Sequence, residues 1–263
     1  MKVLESLGRW LRHPLAKARH EWKSFREFLR PRRGNRVIFV KNGRECVARR
    51  WFNRIPGLKI CIRGKNCTVR LALPIVAKGS RILLCGHGTT VEIGSTPVLN
   101  YAKIECAGGS RTLLRIGRNV RVYHSMQIQM GNSTCLIGDN CTIASHVLIY
   151  ACDNHPVFCR ENGAIANFQR RPLLIGDHCW LCRGSVITKN AQIPNDTIVG
   201  LNAVVTRAFT EEHSILGGNP AAVMRTGVTW EEQCPYFWCP DWQEDGTVNP
   251  MPRELRGGQE RKK

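Results

Sequence analysis

An apolar residue recurs at every sixth position through the C-terminal half of the chain. The run keeps its register over six hexads, at Ile175, Leu181, Ile187, Ile193, Val199 and Val205. Shorter runs precede it, at Ile116, Val122 and Ile128 and at Ile137, Ile143 and Ile149. This period fits neither an α-helix, at about 3.6 residues per turn, nor a simple amphipathic strand, at about two. It predicts a solenoid in which each flat side is one hexad long and three sides close one coil.

The other positions of the hexad support this interpretation. Residues four positions after the apolar one are small in all but the last hexad: Cys179, Ser185, Ala191, Thr197 and Ala203, with Phe209 at the end. Glycine often follows the apolar residue directly, and glycine and asparagine adopt the unusual backbone angles of a corner at low cost. We therefore predict an all-β fold, a left-handed parallel β-helix, whose winding is an exception to the right-handed crossover rule.

The register is interrupted twice. Nine positions separate Ile128 from Ile137, which predicts a short bulge or loop. Twenty-six separate Ile149 from Ile175, which is not a multiple of six and predicts a protruding loop over residues 152–173. Long loops within compact domains are usually functional.

The flanking segments differ from the repeat and divide the chain into three parts. Residues 1–35 form a basic extension with apolar residues at helical spacing, which predicts amphipathic helices. Such helices bind anionic membrane surfaces, or alternatively cover an end of the main domain, and both interpretations stay open. Residues 36–227 form the β-helix domain, in which 36–113 contain irregularly spaced β-type runs. Residues 228–263 form a tail without a recognisable pattern.

Composition narrows the functional classes. The formal net charge is +19, which favours polyanionic partners. No nucleic-acid-binding motif accompanies this charge, so nucleic acid is not the expected partner. No apolar run of membrane-spanning length and no secretory signal is visible, which indicates a cytoplasmic protein, peripheral at the inner face of the membrane if its extension binds lipid. The thirteen cysteines are then expected to be reduced.

Metal chemistry has little support in the sequence. Cys179 and Cys182 form a CxxC pair, but no second pair completes a tetrahedral zinc site. We therefore expect no metal. The predicted loop contains Asp153 and His155, and a histidine near a carboxylate is suited to general-base catalysis near neutral pH. A surface histidine without a function is the competing interpretation.

Three segments resemble a known family. They are IGDNCTIASHVLIYACDNHPVF, ENGAIANFQRRPLLIGDHCWLCRGSVI and ILGGNPAAVMR, between Ile137 and Arg225. They resemble the hexapeptide-repeat acyltransferases, in the branch that O-acetylates sugars. The resemblance implies a left-handed β-helix, a homotrimer, and acetyl-CoA bound in the groove between neighbouring coils.

The resemblance also implies roles for individual residues. His155 matches the catalytic base, and Asp153 matches an acidic residue that orients its ring. Residues matched to acceptor binding are Trp180 and Asn167, with His124 near a position where relatives bind the acceptor. Residues matched to binding acetyl-CoA are Arg183, Leu201, Thr206, Arg207 and Arg225. Arg183 departs from the family pattern, which has a small residue there.

The resulting hypothesis is acetyl transfer to a hydroxyl of a sugar in a surface polysaccharide or its lipid-linked precursor. One alternative keeps the enzyme but has a small free acceptor, such as an antibiotic, an amino acid or an amino-sugar. A zinc enzyme of the γ-carbonic-anhydrase type would need three histidines at fixed spacing, which His146, His155 and His178 do not show. A non-catalytic scaffold would not need a long loop that interrupts its coils.

Overall fold

A computed structural model describes residues 34–48, 55–96, 98–108 and 112–232. Within these ranges the chain forms 23 strands and no helix. The helices predicted for residues 1–35 and nearly all of the tail predicted for 228–263 lie outside the described residues. None of the described segments is a helix that could cross a membrane.

The strands form three sheets, named here in the order in which a coil visits them. The first sheet contains β1 (Arg36–Lys41), β2 (Arg44–Val47), β4 (Thr68–Ala72), β7 (Thr90–Ile93), β10 (Leu113–Ile116), β13 (Thr134–Ile137), β16 (Leu173–Ile175) and β19 (Gln192–Ile193). The second contains β5 (Ala77–Lys78), β8 (Val98–Asn100), β11 (Arg121–Val122), β14 (Thr142–Ile143), β17 (Trp180–Leu181), β20 (Ile198–Val199), β22 (Ser214–Gly218) and β23 (Ala221–Thr226). The third contains β3 (Leu58–Ile62), β6 (Ser80–Leu84), β9 (Lys103–Gly108), β12 (Gln127–Gly131), β15 (Leu148–Tyr150), β18 (Val186–Thr188) and β21 (Val204–Val205).

Apart from β2 and β23, the strands pair in parallel with those of the neighbouring coils, so the predicted left-handed parallel β-helix is confirmed. Ile175 pairs with Ile193, which is 18 positions further on and corresponds to three hexads. In the earlier coils Ile93 pairs with Ile116, 23 positions on. These longer coils explain why the spacing over residues 36–113 is irregular in the sequence. Antiparallel strands β2 and β23 end the first and second sheets.

The interior is filled by the two inward-facing positions of each hexad. Leu181, Ile187 and Val199 are fully buried, and so are the small residues Ser185 and Ala203. Burial at both positions accounts for the sequence pattern, because a large side chain near a corner would collide with those of the other two sides. The eleven cysteines among the described residues are free thiols, and five of them are buried in this interior.

The corners are made by residues three positions after the inward-facing aliphatic residue. Asn140, Asn190 and Asn202 adopt positive φ values there, as asparagine does more readily than most residues. The glycines that directly follow the aliphatic residue do not, so the expectation that they supply corner angles was wrong. A Cβ on Gly138 would lie 2.6 Å from the carbonyl oxygen of Gly176 in the next coil. Glycine is needed there because the stacked backbones approach closely.

Both predicted interruptions are present. Strand β12 extends past Ile128, and its register against β9 shifts between Met130 and Gly131, which is a bulge. The larger interruption is a loop over residues 151–172, between β15 of the third sheet and β16 of the first. Ile149 pairs with Ile187, 38 positions on, whereas Ile187 pairs with Val205, 18 positions on, so the loop adds 20 residues.

Candidate active site

The protruding loop folds back on itself as a small hairpin. Phe158 and Ile165 form an antiparallel bridge, and the amide of Cys159 donates a hydrogen bond to the carbonyl of Ala164 at 2.8 Å. Gly163 adopts a positive φ at the tip. The hairpin brings the two ends of the loop together, so that residues ten or more positions apart become neighbours.

Asn167 joins the two ends of the loop through both parts of its side-chain amide. Its oxygen accepts a hydrogen bond from the backbone amide of Val157 at 2.8 Å. Its nitrogen donates to the backbone carbonyl of His155 at 2.9 Å and to the carboxylate of Asp153 at 2.6 Å. Three of the sequence-predicted site residues are therefore adjacent, with Asn167 holding the backbone of His155.

Asp153 is held from the opposite side by Lys189, which lies one coil further along, just after β18. The hydrogen bond from the Lys189 ammonium is the main reason that the pKa of Asp153 lies below its usual range, and the bond from Asn167 adds to it. Partial desolvation opposes this shift. We call Lys189, Asp153 and Asn167 the loop clamp, because together they connect the β-helix to the backbone of His155.

Two further side chains fix the base of the loop. Gln129, in the middle of β12, donates to the side-chain oxygen of Asn154 at 2.7 Å. The side-chain oxygen of Asn190 accepts from the backbone amides of Arg170 and Arg171 at 2.8 and 3.0 Å. The coils before and after the loop thus determine where it leaves and where it returns.

His155 is exposed on this clamped loop. The sequence predicts that Asp153 orients its ring, but the carboxylate of Asp153 is bonded to Lys189 and Asn167. In the described structure Asp153 is connected to the backbone of His155 through the side chain of Asn167.

The predicted acceptor residues do not all lie at this loop. Trp180 begins β17 of the second sheet and is 37% exposed. His124 lies after β11, on the corner between the second and third sheets. The loop leaves from the corner between the third and first sheets, so within one chain only Asn167 of the three belongs to it.

The residues predicted to bind the acyl donor, acetyl-CoA, also lie on different sides of the coil. Arg183 and Leu201 occupy equivalent positions in successive coils, on the corner that follows the second sheet. Thr206 and Arg207 follow β21, on the corner from which the loop leaves two coils earlier. The Arg207 guanidinium lies 5.1 Å from the centre of the Phe209 ring. Arg225 lies in β23 and pairs with Ile215 at the end of the second sheet.

Exposed apolar side chains concentrate in two places. One group is on the loop: Val157, Phe158, Ile165 and Phe168. The other is on the second sheet and the residues directly beside its strands: Val76, Tyr101, Tyr123, Trp180, Leu201, Val223 and Met224. Large exposed apolar patches on a β-helix are typical of surfaces that contact another molecule. Among the described residues no group of three or more histidine, cysteine or acidic side chains is arranged to hold a metal ion.

The chain is similar to known proteins in both sequence and fold. No family model matches the chain. A polysialic acid O-acetyltransferase from Neisseria meningitidis is 27% identical over 188 residues, covering 64% of this chain and 87% of that protein. The chain is therefore similar in sequence to a sugar O-acetyltransferase. Another protein of the same description, from Escherichia coli O1:K1 / APEC, is 24% identical over 46% of this chain and 38% of its own length.

A solved structure supports the fold of this chain. The crystal structure of the polySia-specific acetyltransferase NeuO superposes with a TM-score of 0.62, at 19% identity, over 76% of this chain and 86% of that chain. The sequence analysis did not identify Lys189, Gln129 and Asn190 as candidate site residues. The strand register could have indicated Lys189, because the pairing of Tyr150 with Thr188 places Lys189 beside the first residue of the loop.

Proposed function

We propose that the protein transfers an acetyl group from acetyl-CoA to a hydroxyl of a sugar in an anionic surface polysaccharide or its lipid-linked precursor. The observation that carries this proposal is the exposed imidazole of His155 on a loop that the clamp ties to the β-helix. The two relatives named as polysialic acid O-acetyltransferases support the choice of donor and acceptor.

In the proposed reaction, His155 accepts the proton of the acceptor hydroxyl while the oxygen attacks the thioester carbonyl of acetyl-CoA. The tetrahedral intermediate collapses by breaking the carbon–sulfur bond, and the imidazolium returns its proton to the leaving thiolate. The products are an acetyl ester and free CoA. Asn167 and Asp153 are positioning residues in this scheme, because their bonds end at the backbone of His155 and at Lys189.

The proposed site is shared between copies in a homotrimer. Within one chain the loop and Trp180 lie on different sides of the coil. A second copy that places its second sheet against the apolar loop residues would bring Trp180 and the loop together. Burial of Phe158 and Phe168 against that sheet would supply the contact energy, at about 25 cal/mol per Å² of apolar surface.

The donor would lie in the groove between two such copies. Arg183 and Leu201 of one copy, on the corner after its second sheet, would line one side of the groove. Thr206 and Arg207 of the other copy would line the opposite side, below its loop. The guanidinium groups of Arg183, Arg207 and Arg225 are suited to the phosphates of CoA. The indole of Trp180 would offer an apolar platform to the acceptor sugar.

The test is release of CoA thiol from acetyl-CoA with a panel of polysialic acid, neutral polysaccharides and small free acceptors. His155→Asn should lower turnover by about 10²- to 10⁴-fold, the range expected for loss of a general base. His213→Asn is the matched control, because His213 is exposed at the far end of the β-helix. Equal turnover by wild type and His155→Asn would show that His155 is not the catalytic base. Turnover only with small free acceptors would show that the acceptor is not a polysaccharide.

A further inference from the structure

A column of three rings runs along the corner between the second and third sheets. Tyr101, His124 and His146 follow β8, β11 and β14, in three successive coils. The Tyr101 and His124 ring centres are 4.9 Å apart, and those of His124 and His146 are 5.8 Å apart. All three side chains are exposed. We call these residues the ring column.

The three rings lie at or beside the residue that turns the chain at this corner. Tyr101 and His146 have positive φ values of 51° and 60°, whereas in the coil between them the positive φ is at Ser125, directly after His124. Successive coils are about 4.8 Å apart, so corner side chains of neighbouring coils can contact one another. A tyrosine in this conformation is uncommon. Neither the repeat nor the core requires an aromatic ring at Tyr101, whereas asparagine serves at Asn140 and Asn202.

The surface around the ring column is basic. The ammonium of Lys78 lies 5.8 Å from the centre of the Tyr101 ring, at the N-terminal end of the column. Arg183 lies beyond the other end, where the Gly184 amide donates to the Ser145 carbonyl and stacks the two coils. No aspartate or glutamate occurs in the strand and corner segments 76–78, 98–101, 121–124, 142–146, 180–183 and 198–202.

On the other two sheets, cationic side chains lie next to acidic ones. On the first sheet Arg115 is paired with Glu92 at 2.9 Å, and on the third Arg81 is paired with Glu105 at 2.6 Å. Cations there are compensated by neighbouring carboxylates. The second sheet and its following corner are therefore the side on which positive charge and exposed rings coincide.

We propose that the ring column is a binding track for an anionic carbohydrate chain, which it guides towards the acyl-transfer site. Ring faces offer platforms to sugar rings, and Lys78 attracts the carboxylates of acidic sugars. The spacing of the coils is comparable to the length of one sugar unit, so the rings of successive coils would face successive sugars of the chain. This proposal rests on the proposed function and specifies which surface recognises the polymer.

The first experiment compares kinetics on long polysialic acid with kinetics on a sialic acid dimer. The variants are Tyr101→Asn and His146→Asn, chosen because asparagine tolerates a positive φ. Each should raise KM for the long acceptor about three- to tenfold, with kcat, the dimer kinetics and KM for acetyl-CoA unchanged. Unchanged KM for the long acceptor in both variants would overturn the proposal.

The second experiment measures binding without turnover, using full-length His155→Asn protein with polysialic acid, heparin and neutral dextran. Polysialic acid should bind, dextran should not, and Lys78→Ala should weaken binding about threefold more than Lys59→Ala, a matched exposed lysine on the third sheet. If heparin bound as tightly as polysialic acid, and if Lys78→Ala and Lys59→Ala weakened binding equally, the ring column would be part of a general polyanion-binding surface. That result would overturn the proposed carbohydrate track. Binding that depends on Lys78, together with no acetyl transfer by the wild-type protein to any acceptor, would refute the proposed function but not the track.

Discussion

The loop clamp shows how a single contact between coils sets the chemistry of a residue. Asp153 would be an ordinary exposed carboxylate on a loop if Lys189 did not reach it from the next coil. Because Lys189 and Asn167 both donate to the ionised form, the carboxylate stays charged below the usual pKa of aspartate. The clamp is therefore complete at neutral pH and opens as pH falls through the lowered pKa of Asp153.

We predict that Lys189→Met raises the pKa of Asp153. Removal of the ammonium takes away the main cause of the lowered pKa, so Asp153 becomes protonated at a higher pH than in the wild type. Lys189→Arg keeps the cation and should retain a lowered pKa. The measurement is an NMR titration of the Asp153 carboxyl carbon between neutral and acidic pH. An unshifted titration in Lys189→Met would show that Lys189 does not hold this carboxylate.

The hexads show which features of a structural element can be predicted from sequence. The inward positions were predictable because burial demands apolar side chains at a fixed period. The role of the following glycines was not, because it depends on a backbone one coil away. Gly138 and Gly176 are 38 positions apart in sequence but in contact in the fold.

We predict that Gly138→Ala lowers the free energy of unfolding by about 2 kcal/mol, the cost expected of overpacking. The added Cβ would lie 2.3 Å from Oδ1 of Asp177 and 2.6 Å from the backbone of Gly176. Gly200→Ala is the matched control, because its nearest contact is 3.2 Å away and its hexad position is the same. The measurement is denaturant unfolding. Equal destabilisation of the two variants would contradict the argument from close stacking.

At the scale of the whole molecule, the described chain separates the parts of the proposed site. The described β-helix contains every site residue predicted from the sequence, but on different sides of a triangular coil. A shared site in a homotrimer is the arrangement that would combine them.

We predict complementation between two inactive variants. His155→Asn and Trp180→Ala proteins, each inactive alone, should regain part of the activity when denatured together and refolded. Mixed trimers would contain some sites with an intact loop from one copy and an intact Trp180 from another. The measurement is acetyl transfer after co-refolding, with separately refolded and then mixed proteins as the control. No recovery in co-refolded samples with confirmed mixed trimers would place the site within one chain.

The sequence by itself determined the β-helix and the position of its large loop, because a period is a property of neighbouring residues, and its local motifs made His155, Asp153 and Asn167 candidates for the site. Only the tertiary structure decided what those residues touch. The clamp from Lys189, the close stacking of Gly138 and the column formed by Tyr101, His124 and His146 all join different coils. The physical reason is that coils of 18 to 38 residues bring distant positions within hydrogen-bond or van der Waals distance.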